Sequence, residues 1–115
     1  MTMTVGIIGL GPMGGNIARL LLEKQFKVSG FDLNPDCIAA LDDTGLNALA
    51  SAAEVAANAD VVITSLPSVG ALNAVIDGIS EHDRKGQIVI ECSTLEVGQK
   101  IAAHDRLAEA GKNML

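Results

Sequence analysis

Val5-Gly6-Ile7-Ile8-Gly9-Leu10-Gly11-Pro12-Met13-Gly14 is the stretch that decides the fold. Val5 to Leu10 is an apolar run of strand character, and a helical pattern follows with Met13, Ile17, Leu20 and Leu21 on one face. Between the two stand Gly9, Gly11 and Gly14, spaced G-x-G-x-x-G. Each glycine has its own task. Gly9 permits a tight strand-to-helix turn, Gly11 lets a pyrophosphate approach the backbone, and Gly14 lets helix and strand pack closely. Phosphates placed there meet free amides and the positive end of a helix dipole. Pro12 has no N–H, but its fixed φ suits the first helical turn, so Met13 and Gly14 become the donors. A glycine triplet alone is a common turn. The strand before it, the helix after it and an acid downstream, Asp32, give it the context of a dinucleotide-binding loop.

Strands and helices alternate along the rest of the chain. Lys27 to Phe31 reads as a second strand closed by Asp32, and Asn34-Pro35 caps a helix running to about Asp43. Asn47 to Ala50 is a weak third strand, and Ser51-Ala-Ala-Glu54 has capping-box spacing for a short helix ending near Asn58. Asp60 to Leu66 is the clearest buried strand, stopped by Pro67. Val69, Leu72, Ile76 and Ile79 then mark the inner face of a fourth helix. Ile88 to Cys92 is the fifth strand, Ser93 or Thr94 caps a last helix to about Ala110, and Lys112 to Leu115 begins a sixth strand. This alternation predicts an α/β fold, a Rossmann-type doubly wound parallel sheet of strand order 3-2-1-4-5 with a truncated sixth strand outside the fifth. Ligands of such sheets bind beyond the carboxyl ends of the strands, at the switch point between strands 1 and 4. The loops Gly9–Gly14, Leu66–Ser68 and Cys92–Thr94 converge there.

Composition narrows the function classes. The 115 residues form one domain, the dinucleotide-binding domain 1–115, with 49% apolar residues but only two Phe and no Tyr or Trp. Short buried strands under small-faced helices suit that mixture. A net charge of −6 argues against nucleic acid and anionic membranes as partners. The apolar runs are too short to span a bilayer, and no charged-then-apolar leader precedes the first strand. Cys37 and Cys92 lack metal spacing, so reduced thiols in a cytoplasmic protein are the expectation.

Asp32 selects the dinucleotide. At the end of strand 2 its carboxylate can accept hydrogen bonds from the adenine-ribose hydroxyls, whereas a 2′-phosphate would be repelled. Leu33, Asn34, Pro35 and Asp36 supply no Arg or Lys to offset that repulsion. The pattern therefore reads as NAD over NADP, against the plainer alternatives of a solvated loop acid or an extra cap for the Pro35 helix.

Gly9-Leu-Gly-Pro-Met-Gly14, Phe31-Asp32-Leu-Asn-Pro35, Asp60-Val-Val-Ile-Thr-Ser-Leu-Pro67 and Glu91-Cys-Ser-Thr94 together resemble the β-hydroxyacid dehydrogenase family, the group of 3-hydroxyisobutyrate dehydrogenase and tartronate semialdehyde reductase. The resemblance covers the whole chain. It is weaker to 6-phosphogluconate dehydrogenase, which has Ala at the middle glycine and Asn-Arg after strand 2. The resemblance implies a hydride transfer between NAD and a small 3-hydroxy acid. It implies that Gly9, Leu10, Gly11, Pro12, Met13, Gly14 and Asp32 bind the cofactor, with Leu66 and Pro67 on its nicotinamide side. Thr94 would contact the nicotinamide ribose, and Ser93 the substrate carboxylate. Ser93-Thr-Leu-Glu96 is also a capping box, so Ser93 as a simple helix cap is the competing reading. Two departures stand out: Glu91 where the family has Asp, and no Asn after Pro67 until Asn73.

By the same resemblance, the substrate motif Asp-Ala-Pro-Val-Ser-Gly-Gly is expected immediately after Leu115. The catalytic lysine and the helical substrate and dimerisation domain are expected beyond it. Neither Lys100 nor Lys112 matches that lysine, so no catalytic residue is assigned within the chain. His82 reads as a loop residue, His104 as an exposed or rim position, and Cys92 as a small core residue. An exposed sheet edge would favour self-association. Two alternatives remain: a stand-alone, non-catalytic dinucleotide-binding module, and an NADP-dependent reductase of the 6-phosphogluconate dehydrogenase kind.

Overall fold

In the computed structural model, which describes residues 3–81 and 84–115, eleven elements alternate. They are β1 (Thr4–Ile8), α1 (Pro12–Glu23), β2 (Lys27–Phe31), α2 (Pro35–Ala39), β3 (Asn47–Ala48), α3 (Ala52–Ala57), β4 (Val61–Thr64), α4 (Val69–Ser80), β5 (Ile88–Glu91), α5 (Val97–Glu109) and β6 (Asn113–Met114). His82 lies outside the described residues.

All six strands are parallel, in the order β3-β2-β1-β4-β5-β6. This is the doubly wound Rossmann-type sheet, with the sixth strand outside the fifth. The register carries the functional consequence. Phe31, Ile8, Thr64 and Glu91 pair in one row across β2, β1, β4 and β5. The residues that follow each of them therefore leave the sheet side by side.

Two apolar layers hold the sheet. On one face, Val5, Ile7, Val28 and Ile63 meet Leu10, Ala18 and Leu41. On the other, Ile8, Val62 and Val89 meet Val55 of α3, Leu72, Ile76 and Ile79 of α4, and Ala103 and Leu107 of α5. Ile7, Leu72, Ile79 and Leu107 are completely buried, each contributing about 1.5–3 kcal/mol of transfer free energy.

The structure corrects several boundaries. α1 does not pack through Met13 and Leu20, which are 50% and 59% exposed; Gly14, Gly15 and Ala18 are the residues buried against the sheet. Close approach of a helix to a strand selects small residues, and a count of large apolar side chains misses that. α2 stops at Ala39 rather than near Asp43, and turns carry the chain to Gly45, where φ is +89°. β1 ends at Ile8, β3 at Ala48, β4 spans only Val61–Thr64, β5 ends at Glu91, and β6 is Asn113–Met114. α5 begins at Val97 with Glu96 as its cap residue and no capping side chain, so neither Ser93 nor Thr94 caps it.

The other helix starts obey local chemistry. The Asn34 side chain accepts from the Asp36 amide, with Pro35 in the first turn. Ser51 accepts from the Glu54 amide while the Glu54 carboxylate takes the Ala50 amide, a variant of the capping box. Ser68 caps α4 through the Ala71 amide. At the opposite end of the sheet, the Asp60 carboxylate accepts from the Thr4 amide and pairs with Arg84. Buried Gln87 donates to the Ala56 and Ala59 carbonyls at 2.7 Å each and accepts from Lys112. No helix among the described residues is long and apolar enough to cross a membrane.

Candidate dinucleotide site

The row Phe31–Ile8–Thr64–Glu91 releases four loops at one end of the sheet. The crevice between β1 and β4 opens into a cavity of about 650 Å³, within the usual range for small-molecule and cofactor sites. Gly9, Gly11, Pro12, Met13, Asp32, Leu66 and Pro67, all singled out from the sequence, line it together.

The glycine loop is shaped by contact. Gly9 has φ +96°, and a Cβ there would lie 2.0 Å from the Ser65 carbonyl oxygen. A Cβ on Gly14 would lie 1.8 Å from the Gly9 carbonyl oxygen. Both positions are closed to any other residue by the protein itself. Gly11 differs: no protein atom lies within 4 Å of the place its Cβ would take. The protein gives no reason for glycine at that position. A group approaching the backbone from the cavity would give one.

The first turn of α1 points the same way. Its cap residue is Gly11, with no capping side chain. Among the described residues, none offers an acceptor to the amides of Gly11, Met13 or Gly14. The neighbouring amides are used: Gly9 N–H donates to the Phe31 carbonyl, Leu10 N–H to Asp32, and Gly15 N–H to the Gly11 carbonyl. Three donors at the positive end of a twelve-residue helix are thus left without a protein acceptor, with Gly11 and Met13 lining the cavity and Gly14 buried behind them, an arrangement suited to phosphate.

Asp32 is half-buried beside them. Oδ2 accepts from the Leu10 amide at 2.7 Å and Oδ1 from the Asn34 amide at 2.8 Å. An ionised carboxylate has about four acceptor positions. Two hold the loops that follow β1 and β2, and two are left for hydroxyl donors. Asn34, not Asp32, caps α2. Cys37 borders the same cavity, and its thiol is pushed up by desolvation and by the carboxylates of Asp32 and Asp36, so it stays protonated at neutral pH. A smaller recess of about 340 Å³ adjoins the loop, and its one arginine, Arg19, donates to the Ala40 carbonyl at 2.6 Å.

The remaining candidates are placed differently. Leu10 is 4% exposed, with its side chain in the core and its amide on Asp32. Thr94 is exposed and does not line the cavity. Ser93 is buried. Its Oγ accepts from the Leu66 amide at 2.7 Å, and its own amide donates to Glu91 Oε1 at 2.8 Å. The hydroxyl proton of Ser93 is therefore still available for donation. Lys100 lies 3.0 Å from Glu91, and Lys112 is buried against Gln87 and the Arg84 carbonyl. His104 is exposed beside Asp105, while Cys92 is half-buried against the core. No group of three or more His, Cys, Asp or Glu among the described residues could hold a metal ion.

Sequence reasoning missed the apolar wall. Ala52 of α3 and Ala71, Ala74 and Val75 of α4 face the cavity, as do Phe31 and the largely exposed Leu33. The run of small residues at the start of α4 was the available signal. It resembles ordinary core packing too closely to be read alone.

Comparison with known proteins agrees with this geometry. The chain is 36% identical over 118 residues to the L-threonate dehydrogenase of Cupriavidus necator, covering all of this chain and 40% of that protein. It is 37% identical over 95 residues to the mitochondrial 3-hydroxyisobutyrate dehydrogenase of Homo sapiens, covering 80% of this chain and 28% of that one. The solved structure of Mycobacterium tuberculosis 3-hydroxyisobutyrate dehydrogenase with L-serine matches with a TM-score of 0.93 and 29% identity, over 99% of this chain and 39% of that chain. The chain thus spans 28% to 40% of the length of these relatives. Residues 4–115, from β1 through the glycine loop, Asp32 and Ser93 to the last strand, match the NAD binding domain of 6-phosphogluconate dehydrogenase, and the chain belongs to that family.

Proposed function

We propose that this chain is the NAD-binding half of an oxidoreductase that transfers hydride between NAD and a small 3-hydroxy acid. The observation that carries this reading is the start of α1: three amides without acceptors, an empty Cβ position at Gly11, and Asp32 beside them, with Gly11, Met13 and Asp32 lining one cavity at the switch point. The amides of Gly11, Met13 and Gly14 hold the pyrophosphate. The two unused acceptor positions of Asp32 take the adenine-ribose hydroxyls. Gly9 and Pro12 shape the loop, and Leu66 and Pro67 form the wall on the nicotinamide side. The Ser93 hydroxyl donates to the substrate carboxylate.

Bound nicotinamide supplies the hydride acceptor or donor at its ring carbon. The chain's own residues bind it, orient it and exclude water from one side. A proton acceptor for the hydroxyl is not among them, since Lys100 and Lys112 are engaged elsewhere. In this proposal a lysine outside residues 1–115 supplies that step. The free thiols of Cys37 and Cys92 support a reducing, cytoplasmic setting.

Calorimetric titration with NAD and NADP tests the reading. Placing a phosphate against Asp32 costs about 1–2 kcal/mol, so NAD binds roughly five- to thirtyfold tighter. Equal or tighter binding of NADP overturns the assignment of Asp32.

A further inference from the structure

Glu91 ends β5 with its side chain wholly shielded from solvent. A carboxylate in such a place is costly unless it is paired and hydrogen-bonded. Glu91 is both. Oε1 accepts from the Ser93 amide at 2.8 Å and from the Thr64 hydroxyl at 3.2 Å. Oε2 lies 3.0 Å from Lys100 Nζ, in a charge contact without hydrogen-bond geometry. Lys100 stands near the start of α5 and is 30% exposed, so it brings its charge in from the rim.

What these contacts hold is the irregular segment 92–96. α5 has no capping side chain, so nothing at the helix start fixes that segment. Its anchors are the Cys92 amide on the Thr64 carbonyl and the Ser93 amide on Glu91. Ser93 passes the constraint on, because its Oγ accepts from the Leu66 amide, and Leu66 with Pro67 is a wall of the cavity. One line of contacts therefore runs from α5 through Lys100, Glu91 and Ser93 to the cavity. Lys100 sets its charge against the same carboxylate that takes the Ser93 amide and the Thr64 hydroxyl. A neutral acid in its place would be a weaker acceptor for Ser93 and Thr64.

We propose that Glu91 and Lys100 are a positioning pair that sets the Leu66–Pro67 wall, and through it the affinity for the nicotinamide end of a bound dinucleotide. The inference rests on the dinucleotide reading above. Neither Glu91 nor Lys100 lines the cavity, so the pair acts on it through the Leu66–Pro67 wall alone, and that separates it from a general structural role.

The test uses two probes on the whole chain, NAD and ADP-ribose, which lacks only the nicotinamide base. Lys100→Met should weaken NAD about fivefold and leave ADP-ribose within about twofold, while Lys100→Arg restores NAD binding. Lys100→Met strands a buried charge and can cost folding, so the double variant Glu91→Gln/Lys100→Met is measured beside it, with thermal melts of each. The double variant removes both charges and should show the same selective loss. Equal weakening of both ligands, or no change in either, overturns the positioning role. So does a wild-type chain that binds NAD and ADP-ribose equally, because the wall then contributes nothing to the base. Wild-type binding of neither probe removes the dinucleotide reading itself, and the positioning role with it.

Discussion

Gly11 and Gly14 sit three residues apart in the same loop, yet the structure assigns them opposite sensitivities. Gly11 has φ −68° and ψ −162°, an extended conformation with negative φ, and its Cβ direction is empty for 4 Å. Gly11→Val should therefore fold. The cost is the poorer helix-cap preference of a β-branched residue, below about 1 kcal/mol, or a fall of a few degrees in Tm. In the proposed complex the same side chain occupies the approach of the pyrophosphate. Losing one charge-assisted hydrogen bond there removes about 1.5–3 kcal/mol, roughly ten- to hundredfold in Kd. In Gly14→Ala the new methyl stands 1.8 Å from the Gly9 carbonyl oxygen and 2.9 Å from its carbon. Only separation of α1 from the end of β1 relieves that contact, at about 1–3 kcal/mol or more of stability. Calorimetric titration with NAD and thermal melts on both variants separate the cases. Gly11→Val should lose affinity with its melt nearly intact, and Gly14→Ala should lose its melt first. Wild-type affinity in Gly11→Val would refute the phosphate role of the loop, and an unperturbed Gly14→Ala would refute the close approach.

Asp32→Asn replaces one acceptor oxygen by a donor, so either the Leu10 or the Asn34 amide loses its partner; about 1–3 kcal/mol of stability should go, and the NAD-over-NADP ratio should narrow in paired titrations. Asp60 is held below the ordinary carboxylate range by the Thr4 amide and Arg84, against an opposing effect of desolvation. Its contribution is complete above the unfolded carboxylate range and is lost as pH falls through the lower folded value, so Asp60→Asn should flatten the acid limb of Tm against pH. The 115 residues alone should give no NADH absorbance change with 3-hydroxy acids above background, since among the described residues no lysine or histidine lines the cavity. Turnover abolished by a single substitution within them would refute that. Exposed Val97, Ile101 and Leu115 should make the same sample self-associate, which light scattering reads.

The strand order and the switch-point crevice were legible because each βα unit announces itself locally, through an apolar run, a glycine or proline stop and a cap. Geometry that depends on distance was not. α1 packs through Gly14, Gly15 and Ala18, with Ile17 and Leu21 of the expected face partly buried beside them and Leu20 left exposed. α2 shortens because Asp42 and Asp43 would put negative charge at the negative end of a helix. The Thr44 hydroxyl instead closes a turn on the Leu41 carbonyl.

Ser93 shows where local pattern stops. Its spacing to Glu96 is the same Ser-x-x-Glu that does build a capping box at Ser51 and Glu54, yet only the earlier pair caps a helix. At Ser51 no competitor is present, and the nearest amides are those of its own helix. At Ser93 the Glu91 carboxylate claims the amide, and the Leu66 amide, 27 residues away in sequence, claims the hydroxyl oxygen. The Oγ that would cap α5 is already taken by the Leu66 amide, and the Ser93 amide is held by Glu91, so α5 starts three residues later than its pattern suggests. The residue that decides this is Glu91. Its place between Thr64 and Lys100 becomes visible only when β4, β5 and α5 are set side by side.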